Sequence, residues 1–313
     1  MSHFRPLALH LGFLAILFGS GFVLPEYHHG NLARVMVLAT YAMGYNLLFG
    51  YTGLLSLGHA MFFAAGMYGM GLSIRYLGLD PALAMIAGVS LGALLSLIVG
   101  ALALRTVGVA FMIVTLMFAQ AVYLAILLGG EWTRGDEGFV IQAGQRVLWG
   151  ADLSQPGPRF FAAWAVFAAG LLVALGVVLR PFGKALVAIR ENEERTRMLG
   201  YDTFALKLGA VVLSGTVSAL AGAAYGLLFG YAGATFAGVQ YSILPLLWVL
   251  LGGAGTVIGP FIGTLFMFYL IDFASGLTTA YMAVAGVVLV LLTLFARQGI
   301  AGEVRRRFPG WIP

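Results

Sequence analysis

The residues best suited to binding chemistry lie in one charged stretch, Arg180–Lys207. Between Arg190 and Leu199, six of the ten residues are charged, whereas the flanking segments Phe160–Leu179 and Leu208–Ile271 contain no Asp, Glu, Lys or Arg. Each ion placed in hydrocarbon would cost about 2.5–3.5 kcal/mol on insertion scales. The stretch therefore lies in water, where its charges are available to a protein partner.

Two glycine-rich segments, one after Gly50 and the other at Gly252–Pro260, interrupt the apolar sequence. Gly and Pro at membrane depth free backbone amides and carbonyls, which are tolerated only in protein or along a wet cavity. Both segments are therefore candidate walls of a translocation path, and close helix packing by small residues is the alternative. The candidate path residues are Tyr45, Asn46, Gly50, Thr52, Gly53, Ser56, Gly58, His59, Gly252, Gly253, Gly255, Gly259 and Pro260.

Motifs for catalysis and for ATP binding are missing from the sequence. There is no P-loop, because Gly183-Lys184 is followed by Ala185 and lacks the upstream glycine. H-E-x-x-H and G-x-S-x-G are absent, and no carboxylate lies in the middle of an apolar run. We therefore predict no catalytic residue, no metal site and no cofactor on this chain. A transporter subunit driven by a separate motor is expected, rather than an enzyme.

The composition is that of an integral membrane protein. Of the 313 residues, 61% are hydrophobic and 9% are charged, and the mean hydropathy is +0.98. Soluble domains are typically about 25% charged. The absence of cysteine excludes disulfides and thiolate metal sites. The apolar run Leu7–Leu24 is expected to be an uncleaved first helix, because no convincing signal-peptide cleavage site follows it.

Apolar runs predict an all-α fold of about ten membrane helices in a single domain, residues 1–313. A run of 32 residues, Tyr241–Asp272, is too long for one span and is divided at its glycine-rich break into two short elements. The other predicted spans are Leu7–Leu24, Leu32–Phe49, Gly58–Ile74, Ala82–Leu104, Gly108–Leu128, Phe160–Leu179, Leu208–Phe229 and Thr279–Phe295.

The distribution of basic residues predicts the orientation. Ten spans with cytoplasmic termini place 12 of the 17 basic residues inside, whereas nine spans would place 8 inside and 9 outside. The inside residues are Arg5, Arg105, Arg180, Lys184, Arg190, Arg195, Arg197, Lys207, Arg297, Arg305, Arg306 and Arg307. The outside residues are Arg34, Arg75, Arg134, Arg146 and Arg159. The acidic outer loop 129–158 is a predicted docking surface for an extracytoplasmic partner.

An internal repeat supports the same topology. The nonapeptide Tyr45–Gly53 reappears as Tyr225–Gly233 with seven of nine positions identical. The two copies end predicted spans that cross the membrane in opposite directions. An inverted repeat of five plus five spans would have this property, with halves at about 1–129 and 159–297. Coincidence among common membrane residues is the alternative.

These residues together resemble the permeases of branched-chain amino acid ABC importers, in particular the LivM type. The resemblance covers roughly Asn46–Thr264 and is strongest in Gly50–His59 and Phe182–Glu193. It implies a bacterial inner-membrane complex with a second, LivH-like permease, two cytoplasmic ABC ATPases that bind ATP and Mg²⁺, and a periplasmic substrate-binding protein. No nucleic acid is expected as a partner.

The resemblance also implies that the loop 180–207 contains the coupling helix that contacts the ATPases. Glu194 and Gly200 have the family's Glu-x-x-x-x-x-Gly spacing, although Arg195 and Thr196 stand where alanines are usual, which leaves the register of the contact open. The candidate coupling residues are Gly183, Lys184, Arg190, Glu191, Glu193, Glu194, Arg195 and Gly200.

The resemblance implies Leu, Ile and Val, or related small hydrophobic amino acids, as substrates. Urea and short-chain amides are the alternative within ABC importers, and an ion-coupled secondary carrier or a passive channel is the alternative outside them. Transport without ATP by this chain alone would favour the last two classes.

Overall fold

Helices form about four fifths of the described chain. A computed structural model describes residues 4–295 and 298–307; Arg297, placed inside by the charge argument, lies outside these ranges. The first seven helices are α1 (Phe4–Val23), α2 (Glu26–Thr52), α3 (Ala60–Leu77), α4 (Pro81–Ala103), α5 (Val109–Leu128), α6 (Gly130–Thr133) and α7 (Pro156–Leu179). The others are α8 (Pro181–Glu191), α9 (Glu193–Met198), α10 (Thr203–Phe229), α11 (Val239–Gly252), α12 (Gly259–Leu277), α13 (Tyr281–Phe295) and α14 (Gly299–Arg307).

The prediction of an all-α membrane protein is confirmed. Among the described residues, seven helices are long and apolar enough to cross a membrane, namely α1, α2, α4, α5, α7, α10 and α12. The other predicted spans correspond to α3, α11 and α13, which have 18, 14 and 15 residues. The count of ten crossings and the five-plus-five repeat therefore stay predictions.

The long helices α2 and α10 lie side by side at the centre of the bundle and run in opposite directions. Arg34, near the start of α2, stacks on Phe229 at the end of α10, and Gly44 contacts Ser214 and Ser218 further along both helices. Helix α10 also packs on α3 and α4, while α2 packs on α7, α11 and α12. Helix α2 is thereby largely enclosed by protein, with 78% of its apolar window buried, whereas 50% of the window of α10 is buried.

Small residues allow this close packing. A Cβ added at Gly222 in α10 would lie 1.9 Å from the carbonyl oxygen of Phe63 in α3. One added at Gly66 in α3 would lie 2.0 Å from the carbonyl oxygen of Ala219. Packing energy between membrane helices comes from such close backbone approach, because lipid is as apolar as the side chains. These glycines have the packing role expected for most of the 44 glycines in the chain.

The central helices end on opposite sides of the bundle, and we name the two sides from these ends. The "loop end" contains the end of α10 and the loop 129–158. It has four two-residue strands that the sequence did not predict, three in this loop and one after α10. Strand β1 (Phe139–Val140) pairs antiparallel with β4 (Tyr231–Ala232), and β2 (Val147–Leu148) pairs antiparallel with β3 (Ala151–Asp152). The "coupling end" contains α8, α9, α14 and the end of α2.

Short polar residues begin several helices. The carboxylate of Asp80 accepts from the amide of Ala82 at the start of α4, and that of Asp202 accepts from Ala205 at the start of α10. The side chain of Asn192 accepts from the amide of Arg195 at 2.8 Å and begins α9. A capping acceptor satisfies an amide that has no partner within its own helix. The break between α8 and α9 therefore follows from the local sequence.

The two copies of the repeated nonapeptide differ in local structure. In the first copy the helix continues to Thr52 and stops at Gly53, which has a φ of 78°. In the second copy it stops at Gly230, three positions earlier in the alignment, with a φ of 71°. Tyr51 is thus helical, whereas its counterpart Tyr231 belongs to strand β4.

Candidate functional site

The first candidate break, residues 53–59, connects α2 to α3 without helical structure. Side chains satisfy its backbone groups. The hydroxyl of Tyr45 donates to the carbonyl oxygen of Ser56 at 3.0 Å, and the amide of Leu57 donates to the hydroxyl of Thr115 at 3.2 Å. The amide of Gly58 donates to the hydroxyl of Ser56. The break is therefore a defined structure held by neighbouring helices, as irregular backbone within a membrane protein requires.

His59 ends this break in a fully buried position. Its Nε2 lies 2.7 Å from the hydroxyl oxygen of Ser214, and that hydroxyl lies 2.5 Å from the carbonyl oxygen of Gly44. Because Ser214 has one proton and donates it to Gly44, Nε2 of His59 carries the proton that Ser214 accepts. Nδ1 is then an acceptor, and it has no partner among the described residues.

The second break, residues 253–258, separates α11 from α12 and is almost entirely buried. The amide of Gly255 donates to Oδ1 of Asn46 at 2.9 Å, and Nδ2 of Asn46 donates to the carbonyl oxygen of Thr256 at 2.9 Å. The hydroxyl of Thr256 donates to the carbonyl oxygen of Gly253. Gly253 and Gly255 have φ values of 118° and 74°, which L side chains rarely adopt. One asparagine of α2 thus satisfies two backbone groups of the break.

The structure gathers the candidate path residues at the centre of the bundle and its coupling end. Twelve of the thirteen are buried in the chain, and Gly53 is exposed. Gly50 lies against Asn46 and the amide of Gly255, so that the end of α2 touches the second break. Gly252 approaches the carbonyl of Gly259 closely enough to exclude a Cβ, and Pro260 occupies the first turn of α12. Their part in translocation stays a prediction.

The coupling segment 180–207 consists of α8, α9 and the start of α10. One face of α8 is buried through Gly183, Ala185, Leu186 and Ile189. The candidate coupling residues Lys184, Arg190, Glu191, Glu194, Arg195 and Gly200 are exposed, whereas Gly183 is buried against the end of α7 and Glu193 is half-buried. This arrangement presents charges on an amphipathic surface at one end of the bundle.

Glu193 is held by ion pairs within the chain. Its Oε1 lies 2.7 Å from Nζ of Lys207 and 3.3 Å from Nη2 of Arg197. Burial raises the pKa of Glu193, but Lys207, Thr203 and Arg197 together outweigh it through hydrogen bonds and charge, so that the pKa lies below its usual value. The Lys207 side chain is only 8% exposed, so loss of Glu193 would leave a nearly buried charge unpaired.

Two arginines connect the coupling end to the broken helices. The guanidinium of Arg190, at the end of α8, donates to the carbonyl oxygen of Gly50, and its side chain lies against Gly53. The guanidinium of Arg305 in α14 donates to the carbonyl oxygen of Gly255 at 3.0 Å. A movement of α8 or α14 would therefore be transmitted directly to the end of α2 and to the second break.

Sequence reasoning missed the apolar surface beside these charges. Met198 and Leu199 are 84% and 71% exposed, and Tyr201 and Phe204 are exposed next to them. We call these four residues the apolar patch. Large apolar residues inside the charged stretch were the available signal. The described residues contain no group of three or more His, Asp or Glu side chains that could hold a metal ion.

Comparison with known proteins identifies the family. The family model described as "Branched-chain amino acid transport system / permease component" matches residues 29–296. The LivM permease protein of the high-affinity branched-chain amino acid transport system of Escherichia coli K12 is 26% identical over 294 residues, covering 86% of this chain and 69% of the relative. The autoinducer 2 import system permease protein LsrC of Photorhabdus laumondii is 28% identical over 199 residues, covering 58% and 56%.

A third relative is the probable branched-chain amino acid transport permease protein LivM of Methanocaldococcus jannaschii, 34% identical over 107 residues and covering 33% of this chain and 31% of the relative. No solved structure matches the chain. Since the family model covers most of the sequence, this chain belongs to the permease component family of the branched-chain amino acid transport system.

Proposed function

We propose that this chain is one permease subunit of an ATP-driven importer in the bacterial inner membrane, taking up branched-chain or related small hydrophobic amino acids. The contact of Arg190 with Gly50 carries the proposal, because it joins the exposed coupling segment to the end of α2, which lies against the second break. Two separate ATPases would bind the coupling end on the cytoplasmic side. A second permease and a substrate-binding protein would complete the path, the latter at the loop end.

Each part of the chain has a physical role in this proposal. The amphipathic segment α8–α9 transmits closure of the ATPases as a rigid lever. The central helices α2 and α10 provide the enclosed core past which the solute moves. The lever touches the bundle at Gly53, where the first break begins, and near Gly255 in the second break, so a small displacement at α8 alters the backbone between spans.

Reconstitution tests the function. The purified chain, combined with ATPase, second-permease and substrate-binding subunits, is placed in proteoliposomes, and uptake of radiolabelled leucine is measured with and without enclosed ATP. ATP-dependent uptake that needs every subunit supports an importer. Uptake by this chain alone, driven by an ion gradient or by the solute gradient, would establish a carrier or a channel instead.

The apolar patch provides a test of the ATPase contact. We expect Met198→Ser with Leu199→Ser to remove most co-purification of the ATPase subunits, because exposed apolar residues supply much of the energy of such interfaces. The control is Val107→Ser with Val109→Ser, which changes exposed apolar residues of the α4–α5 connection at the same end. Unchanged co-purification of both variants would contradict the placement of the contact.

A further inference from the structure

Arg34 occupies an unusual position inside a membrane-spanning helix. It follows Glu26, the first residue of α2, by eight positions, which corresponds to about 12 Å along the helix axis. It is also the one exposed residue among residues 28–52, all of which the structure describes. The predicted span Leu32–Phe49 begins two residues before Arg34, and the charge argument counted Arg34 on the outer side; in the structure it lies in the third turn of α2.

A water-filled opening beside Arg34 would explain its exposure within the span. A guanidinium in lipid would cost about 2.5–3.5 kcal/mol or more, so arginines within spans face water or protein. Helices α7, α10, α11 and α12 pack around α2, which leaves no broad lipid-facing surface on this helix. Among the described residues, no carboxylate lies within salt-bridge distance of Arg34. Its charge is therefore available to a ligand in the opening.

The surroundings of Arg34 carry excess positive charge. The guanidiniums of Arg34 and Arg159 lie 5.1 Å and 5.8 Å from the centre of the Phe229 ring. Arg159 interacts electrostatically with two like charges, those of Arg34 and Arg146, and with one opposite charge, that of Asp152. Three cations near one anion create a positive potential that concentrates anionic solutes.

The other two arginines are committed to the protein. Arg146 donates to the carbonyl oxygen of Leu228 at 3.3 Å, and Arg159 donates to the carbonyl oxygens of Leu153 and Ser154. They fasten the loop 129–158 to the ends of α7 and α10. Arg34 makes a ring contact with Phe229 instead, and the five donors of its guanidinium are left for a bound group.

Aromatic residues continue from Arg34 into the bundle. Ring centres are 4.7 Å apart between Phe229 and Tyr225, 5.1 Å between Tyr225 and Phe236, and 4.8 Å between Phe236 and Tyr241. Tyr225, Phe229 and Tyr241 are only partly buried, so part of each residue is exposed. Arg34 also interacts electrostatically with Tyr225 and Tyr241. A cation bordered by aromatic faces suits a ligand with one anionic group and an apolar remainder.

We propose that Arg34 binds the carboxylate of the transported solute near the loop end of the path, with Tyr225, Phe229 and Tyr241 against its apolar side chain. This inference rests on the proposed import function and deepens it by naming the substrate class as apolar carboxylates. Guanidinium pairs with carboxylate through two parallel hydrogen bonds. Urea and simple amides have no such charge and would gain nothing from Arg34.

Cysteine labelling tests the opening, because the native chain contains no cysteine. The thiol of the R34C variant should react with a membrane-impermeant reagent added at the loop end. A cysteine replacing Met36, which is fully buried two positions away, should not react. An unreactive R34C thiol, covered by lipid or by a neighbouring subunit, would overturn the proposal.

Ligand protection tests the chemistry without a binding protein. Leu38 is half-buried one turn further along the same face of α2, so 4-methylpentanoate bound at Arg34 should slow labelling of the L38C thiol at least threefold. The neutral 4-methylpentanamide should not. Protection should disappear when Arg34→Gln is added and persist with Arg75→Gln, which alters another ring-stacked arginine of the loop end. Equal protection by acid and amide would overturn the proposal. Absence of protection would also overturn it, because the charge of Arg34 would then be left for an acidic residue of a partner subunit.

Transport separates this inference from the proposed function. In the reconstituted transporter, Arg34→Gln should raise the apparent KM for leucine about tenfold, with Arg34→Lys intermediate. An unchanged KM with ATP-dependent uptake would overturn the carboxylate site alone. Absence of ATP-dependent uptake by the native transporter would overturn the import function, while the protection experiment would still decide the site.

Discussion

The side-chain oxygen of Asn46 lies 2.9 Å from the backbone amide nitrogen of Gly255, across 209 residues of sequence. The same side chain donates to the carbonyl oxygen of Thr256. The amide group thus replaces the hydrogen bonds that the second break loses when α11 ends. A buried break needs such a partner, because an unsatisfied backbone group in a membrane protein costs several kcal/mol.

Replacing Asn46 with Leu should destabilise the protein by about 2–4 kcal/mol, because two buried backbone groups lose their partners. Thermal unfolding of the purified variant in detergent would measure the loss. Asn31→Leu is the control, since Asn31 is half-buried near the start of the same helix. Equal unfolding temperatures for the native protein and Asn46→Leu would show that other groups or water satisfy the break.

The Gly222→Ala change should separate α10 from α3. The added Cβ would lie 1.9 Å from the carbonyl oxygen of Phe63, so one helix backbone must move. Overpacking of this kind costs about 1–3 kcal/mol. Gly176→Ala in α7 is the matched control, because nothing lies within 4 Å of its added Cβ. We expect the unfolding temperature to fall for Gly222→Ala and not to fall for Gly176→Ala. The reverse order would contradict the close contact between α10 and α3.

Removing the Arg190 guanidinium should weaken transmission from α8 to α2. We expect Arg190→Gln to lower leucine uptake per ATP hydrolysed about tenfold, because a charged hydrogen bond contributes about 1.5–3 kcal/mol. Parallel uptake and ATPase assays on the reconstituted transporter give this ratio. Arg105→Gln, an exposed arginine after α4, should leave the ratio unchanged. A native ratio for Arg190→Gln would remove Arg190 from the coupling route.

The ion pair of Glu193 and Lys207 should make stability depend on pH. Because Lys207 holds the pKa of Glu193 below its unfolded value of about 4.3, the pair stabilises the protein above that pH. The stabilisation is lost as pH falls through the folded pKa. Glu193→Gln should cost about 1–3 kcal/mol at neutral pH and flatten this dependence.

Thermal unfolding between pH 3 and pH 7 checks the prediction about Glu193, within the ordinary titration range of carboxylates. Glu194→Gln is the control, since Glu194 is exposed next to it. If both variants lost equal stability, the effect would come from the net charge of α9 rather than from the pair.

The sequence by itself determined the class of protein and the approximate position of each predicted helix. Apolar runs long enough to cross a membrane are a local property, so Leu7–Leu24 became α1 and Phe160–Leu179 became most of α7. The exposed coupling segment followed from charge alone, because ions are excluded from hydrocarbon. Local capping residues such as Asn192 also mark where a helix begins.

Only the tertiary structure decided which of these groups meet. The contact of Arg190 with Gly50 spans 140 residues, and strand β1 pairs with β4 far along the chain. The two nonapeptides ending at Gly53 and Gly233 have different local structures, and Arg34 of α2 contacts the ring of Phe229 at the end of α10. Hydropathy reports how strongly a residue prefers to leave water. Contacts depend instead on how closely segments that are far apart in the sequence can approach one another. That approach is set by the packing of the whole bundle.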